Sequence, residues 1–174
     1  MIPLKSFISS IPLEIITMRK GIHFLAVCAA GIITGGQYVV SFDYNPAGTT
    51  ASFYTEKIQY AIHHIGTPLF GMLIATTVLC FLSAVLHFRT ARRVAILLAG
   101  AGIFFLIGAM ITRFGNIPLL DLMDTWSVAS PPADWLDVAQ RWYVFHSVRL
   151  VVDLIGLFLA VLSAFIAPQA EVQK

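Results

Sequence analysis

The sequence predicts an all-α fold, a bundle of four transmembrane helices with an N-terminal interfacial amphipathic helix and a long outward loop between helices 3 and 4. Three observations lead there. Of the 174 residues, 58% are hydrophobic and only 11% charged, with mean hydropathy +0.84. A water-soluble domain carries about a quarter charged residues, so lipid must form part of the solvent. Four runs are long enough to cross a hydrocarbon core, which takes about 20 apolar residues. Finally, Lys and Arg gather on one side once these runs are threaded through a bilayer.

Residues 1–20 read as an amphipathic segment lying on the membrane. Ile11, Ile15 and Ile16 recur at helical spacing, with Glu14 and Lys20 among the polar positions. Arg19 and Lys20 directly precede the first apolar run, and no small-residue cleavage site follows a short apolar core, so a removable signal is not expected. The transmembrane domain covers residues 21–168, with spans at 21–42, 61–86, 94–112 and 144–167. Pro68 interrupts the second span, Pro168 closes the fourth, and residues 169–174 form a tail.

Lys5, Arg19, Lys20, Arg89, Arg92, Arg93 and Lys174 fall on one side of this layout. Lys57, Arg113 and Arg141 fall on the other, and Arg149 lies inside the fourth span. The basic side is expected to be cytoplasmic, with both termini there. A multi-pass protein of a plasma or bacterial inner membrane is the expectation. The two longer connections, 43–60 and 113–143, then face outward. In the second, Ser130-Pro131-Pro132 resembles a helix start. A helix from Pro131 to Ala167 would be about 55 Å long at about 1.5 Å per residue, so it must project from the bilayer or break near Gln140.

Formal net charge is +2 and no basic cluster alternates with aromatics, which leaves no nucleic-acid footprint. Cys28 and Cys80 both sit in apolar runs, with neither Cys-x-x-Cys nor zinc spacing. They read as small hydrophobes, which argues against thiol–disulfide chemistry.

The fourth span carries the strongest polar signal. Trp142, His146, Arg149 and Asp153 are spaced +4, +3 and +4, one narrow stripe at about 100° per residue. Gly156, Ala160 and Ala164 continue it with small residues suited to close helix approach. Arg149 and Asp153, four apart, are placed to neutralise one another. A charge in a membrane helix costs about 2.5–3.5 kcal/mol on insertion scales, so the stripe should face the interior, either as an ion pair that locks packing or as the wall of a wet pocket.

The other spans bring polar groups to the same level. Glu56, Gln59, Tyr60, His63 and Thr67 share a face of the second, with His64 turned away and read as structural. The first carries Gly31-x-x-x-Gly35, read as a close-packing stripe, and then Gln37 and Tyr38. The third ends in Arg113 and Asn116, where Asn before Pro118 is also the ordinary signature of a helix stop. Trp126, Trp135 and Trp142 flank this level, as an interfacial aromatic belt or as a lid over a flat ligand.

The Asn116-Ile117-Pro118-Leu119 turn, followed by a loop and Trp142…His146…Arg149, resembles the anthrone oxygenase-like family of small four-helix membrane proteins, most known only as a domain of unknown function. The glycine-rich first span fits it too, and the likeness runs from Gly21 to Phe165. The family pattern reads Asn-x-Pro-x-Asn, whereas Leu120 stands at the second Asn position here and Asp121 follows. The resemblance implies four helices and, for the few characterised fungal members, oxygenation of polyketide anthrones to anthraquinones without an obvious cofactor.

Three functional expectations follow. One is a cofactor-free oxygenase or related oxidoreductase acting on a flat phenolic or lipophilic molecule. In it His146 is the base, Arg149 and Asn116 stabilise the oxyanion and Asp153 holds Arg149. Substrate contacts come from Trp142, Trp126, Tyr38, Gln37, His63, Gln59 and Glu56. The second is a non-catalytic binding or accessory protein with the stripe as structural glue. The third is a metal or haem site at His63 and His146, with Glu56 nearby; otherwise no cofactor is expected. Gly31/Gly35 and Gly156/Ala160 are candidate homo-oligomer faces.

Overall fold

The computed structural model describes residues 13–167, and the chain is an all-helical, multi-pass integral membrane protein. Four rods are long and apolar enough to cross a membrane. The first is α1 (Leu13–Asp43). The second joins α2 (Ala51–Ala61) through a π-helical turn at Ile62–Gly66 to α3 (Thr67–His87). The third joins α4 (Arg92–Ile111) through a second π turn at Thr112–Asn116 to α5 (Ile117–Asp124). The fourth is α6 (Trp135–Phe165). Neighbours in the chain are neighbours in space, and α1 also packs on α6, closing a square bundle.

The expected amphipathic segment lies outside the described residues up to residue 12; from Leu13 onward the chain is already α1, continuous with the first span. The tail 169–174 also lies outside them.

Three rods run past their apolar runs at one end. The second begins at Ala51, where Thr50 caps the helix by accepting from the Phe53 amide at 3.4 Å, after a turn that Gly48 makes at φ 77°. The third does not stop at Asn116 but continues to Asp124, so the connection to α6 is only residues 125–134. The fourth starts at Trp135 and stays unbroken past Gln140. These extensions enclose a small cap around Tyr54, Ile58, Met123, Ala139 and Trp142.

The two π turns have one cause. Pro68 and Pro118 each lack an N–H and would crowd the carbonyl four residues earlier. Widening the preceding turn removes that clash without ending the helix. The Asn-x-Pro signature therefore marks a bulge, not a stop.

Below the cap, α1, α3, α4 and α6 bury Ala26, Ala30, Ile33, Leu73, Cys80, Phe105 and Ala160. Close approach rests on glycines of α4 and α6. Phe81 presses on Gly102, Phe105 on Gly156, and the Asp153 carboxylate on Gly108. The Gly31/Gly35 stripe does not pack inside the bundle: both are exposed, with nothing within 4 Å of a Cβ built there. The inward face of α1 is Ala26, Ala30, Ile33, Thr34 and Gln37, and it carries the Gln37 amide to a partner on α6. On α6, Gly156 and Ala160 are buried within the bundle, while Ser163 rather than Ala164 continues the inward face. Outward lie large apolar side chains such as Val85 (71% exposed) and Phe158 (65%), as lipid contact requires.

Candidate functional site

Trp142, His146, Arg149 and Asp153 face the bundle interior on successive turns of α6, with His146 and Asp153 at 0% exposure. Their partners come from other helices. The Gln37 side-chain amide on α1 donates to Asp153 Oδ2 at 2.6 Å. Arg149 Nη1 donates to Thr112 Oγ1 at 2.8 Å, and Nη2 donates to His146 Nδ1 at 2.9 Å. Arg149 and Asp153 make no direct ion pair. The expected intrahelical neutralisation gives way to two interhelical links, because Gln37 and Thr112 approach these groups from α1 and the third rod.

The partners fix the imidazole's tautomer. A guanidinium only donates, so His146 Nδ1 accepts. Its Nε2–H then donates to the Gln37 carbonyl at 3.1 Å and to Ser41 Oγ at 2.9 Å, while Ser41 donates to the same carbonyl at 3.1 Å. Trp142 covers the ring, stacked 5.2 Å away at 15°. His146 is thus a neutral, fully engaged imidazole behind Trp142 and Arg149, and it does not line the adjoining cavity.

That cavity holds about 290 Å³. Ile33, Gln37, Val40 and Tyr44 line it from α1 and its end; Ile58, Ile62, Ile65, Leu69 and Phe70 from the second rod; Thr112, Asn116, Ile117 and Leu120 from the third; Trp142 and Arg149 from α6. Apolar groups dominate. Among its lining residues several buried polar atoms lack a partner: Gln37 Oε1, both amide atoms of Asn116, Trp142 Nε1 and Arg149 Nε. The Tyr44 phenol is pushed above its ordinary pKa by burial first, then by Asp43 and Tyr60, so it is a neutral hydrogen-bonding group at physiological pH.

Other expected site residues lie apart from the cavity. Gln59 donates to the carbonyls of Met123, Asp124 and Trp126 at 3.3, 3.2 and 2.9 Å, capping the end of α5. His63 is exposed and pairs with Asp124 at 3.0 Å. It does not meet His146, and among the described residues no three His, Cys, Asp or Glu gather as a metal-ligand set. Glu56 is exposed. Tyr38 is 54% exposed and packs edge-on against Phe42. Trp126 packs against the cap instead of the cavity. His64 stacks on Tyr60 at 4.3 Å on the exposed surface.

Sequence reasoning missed Ser41, Thr112 and Tyr44. Ser41 follows Gln37 by four residues and so shares its face, a signal that was readable. Thr112 is aimed by the π turn and carries no local signature.

The family model described as anthrone oxygenase matches residues 60–159. That stretch contains Asn116, Trp142, His146, Arg149 and Asp153, and leaves Gln37 and Ser41 outside. No curated protein and no solved structure matches the chain.

Proposed function

The chain belongs to the anthrone oxygenase family, and from that premise we propose that its cavity binds a flat, lipophilic phenolic molecule and promotes its oxygenation without a cofactor. The observation that carries this is the unmade polar capacity of Gln37, Asn116, Trp142 and Arg149 in an otherwise apolar cavity wall. Leaving a buried donor or acceptor unsatisfied costs about 1–3 kcal/mol. A ring system with oxygens along one edge satisfies both the wall and its polar atoms.

The chemistry asks little of the protein. An anthrone has an acidic methylene beside two rings; loss of a proton gives an electron-rich anion that combines with oxygen. The overall change is anthrone plus O₂ to anthraquinone plus water. Arg149 and Asn116 stabilise the oxyanion. Donors preorganised in a dry site are the strongest lever available for that task, about 10²–10³-fold each. His146 and Thr112 hold the guanidinium, and Asp153 holds Gln37. The base role for His146 requires Arg149 to release Nδ1 on ligand entry.

The full engagement of His146 favours a second reading, in which the cavity binds its ligand without turnover. Proteoliposomes supplied with 1,8-dihydroxyanthrone separate the two. Anthraquinone formation and oxygen uptake above the spontaneous rate, abolished by Arg149→Leu, support catalysis. Binding with no rate enhancement supports the second reading, and neither binding nor enhancement defeats both.

By the positive-inside rule, Arg19, Lys20, Arg89, Arg92 and Arg93 mark the cytoplasmic end. The cavity then lies toward the outer face of a plasma or bacterial inner membrane.

A further inference from the structure

The cavity wall divides by exposure. The residues from α1 and α6 include buried Ile33, Gln37 and Trp142, whereas Thr67 on the second rod and Asp121 on the third line the cavity and are exposed as well. A residue that both lines a cavity and is exposed stands at its mouth.

The gap between these rods is bounded. At the cap end the rods are tied by the Gln59 amide on the end of α5 and by His63 with Asp124. Deeper in the bundle the Phe81 ring packs closely on Gly102. Between the ties, each rod carries its π turn and its proline. We infer that the cavity opens sideways between the second and third rods, and that its ligand enters from the bilayer. This rests on the reading that the cavity takes a flat lipophilic molecule, and adds the route and the phase from which that molecule comes.

Depth supports the route. From His87 at the basic end to Thr67 at the mouth is about 30 Å at about 1.5 Å per residue. That is about the thickness of the hydrocarbon core, so the mouth lies at the boundary of acyl chains and headgroups. Ring systems with one polar edge collect at that boundary, as Trp and Tyr side chains do. The mouth suits such a molecule, with Ile65 and Ile117 supplying an apolar rim and Asp121 and Thr67 the polar points.

The test uses the full chain in lipid vesicles with Trp126→Phe and Trp135→Phe, so that Trp142 alone reports from the cavity wall. The probe is 1,8-dihydroxyanthraquinone, followed by stopped-flow quenching. Gly66→Phe and Ile117→Phe narrow the mouth; a Cβ at Gly66 meets only Ala61 O at 3.7 Å, an ordinary contact. We expect association and dissociation each to slow at least tenfold in both variants. In the unnarrowed chain, at one aqueous concentration, the association rate should rise with the probe's mole fraction in the membrane as a change of lipid composition raises its partition coefficient. Unchanged rates in both variants, faster dissociation, or a rate that follows aqueous concentration alone overturns the lateral route. No quenching in the unnarrowed chain sinks the binding reading itself, and the route with it.

Discussion

The Gln37 amide on α1 donates to the Asp153 carboxylate on α6 at 2.6 Å, so the deepest charge of the fourth rod is held by the first. Asp153 is thereby engaged without Arg149, whose guanidinium turns to Thr112 and His146. Gln37 also accepts from His146 through its backbone carbonyl. One residue of α1 thus engages two levels of the α6 stripe, His146 and Asp153.

A double-mutant cycle between these two residues should show coupling. Gln37→Ala and Asp153→Ala are each expected to lower stability by about 1–3 kcal/mol, the range for unmaking a buried polar contact. The double variant should lose less than the sum by about 1 kcal/mol, as for residues in direct contact. Thermal unfolding in detergent reads all three. Strict additivity contradicts the link.

Glycines should divide by what surrounds them. A Cβ at Gly108 overlaps Asp153 Oδ1, whereas one at Gly31 meets nothing within 4 Å. Gly108→Ala is therefore expected to destabilise by about 1–3 kcal/mol through overpacking. Gly31→Ala should be neutral or stabilise by up to about 1 kcal/mol, because alanine is the better helix former. Equal melting shifts for both would show that the α4–α6 contact is looser than described.

At His146, the role is read by the substitution tolerated. The ring offers Arg149 an acceptor at Nδ1, which an asparagine oxygen reaches and leucine does not. We expect His146→Asn to keep 1,8-dihydroxyanthraquinone affinity within about tenfold, about 1.4 kcal/mol, and His146→Leu to lose more. Arg149→Lys should also lose more, since one ammonium cannot serve Thr112, His146 and a ligand in the guanidinium's planar geometry. If His146→Asn binds normally yet abolishes turnover, the imidazole is the base.

Gln59 is expected to act on α5 rather than on the ligand. Gln59→Leu removes the donor to three carbonyls, so amide hydrogen exchange should rise around residues 122–127 while ligand affinity stays unchanged. Lost affinity with unchanged exchange would return Gln59 to the site.

Much of the architecture was legible because membrane helices announce themselves by composition. The inward face of α6 was legible too, since Trp142, His146, Arg149 and Asp153 leave only one face that avoids lipid. Partner choice was not. The i, i+4 spacing of Arg149 and Asp153 says they are near, but not that Gln37 and Thr112 arrive from elsewhere with better geometry. On α1, Ala26/Ala30 and Gly31/Gly35 are both small-residue stripes, and spacing alone does not say which one turns inward. The one carrying Gln37 turned inward. Asn116 before Pro118 reads as a helix end in a soluble chain. Here a π turn absorbs the proline and carries the helix to Asp124, and that continuation puts Asn116 in the cavity wall.

The most direct test of the cavity is a structure determined with 1,8-dihydroxyanthraquinone in lipid. We expect density for the ring system between the π turns and α6, with an oxygen at hydrogen-bond distance, about 3 Å, from Arg149 or Asn116. A ring bound on the outer surface, or a cavity filled by ordered water at saturating ligand, contradicts the proposal.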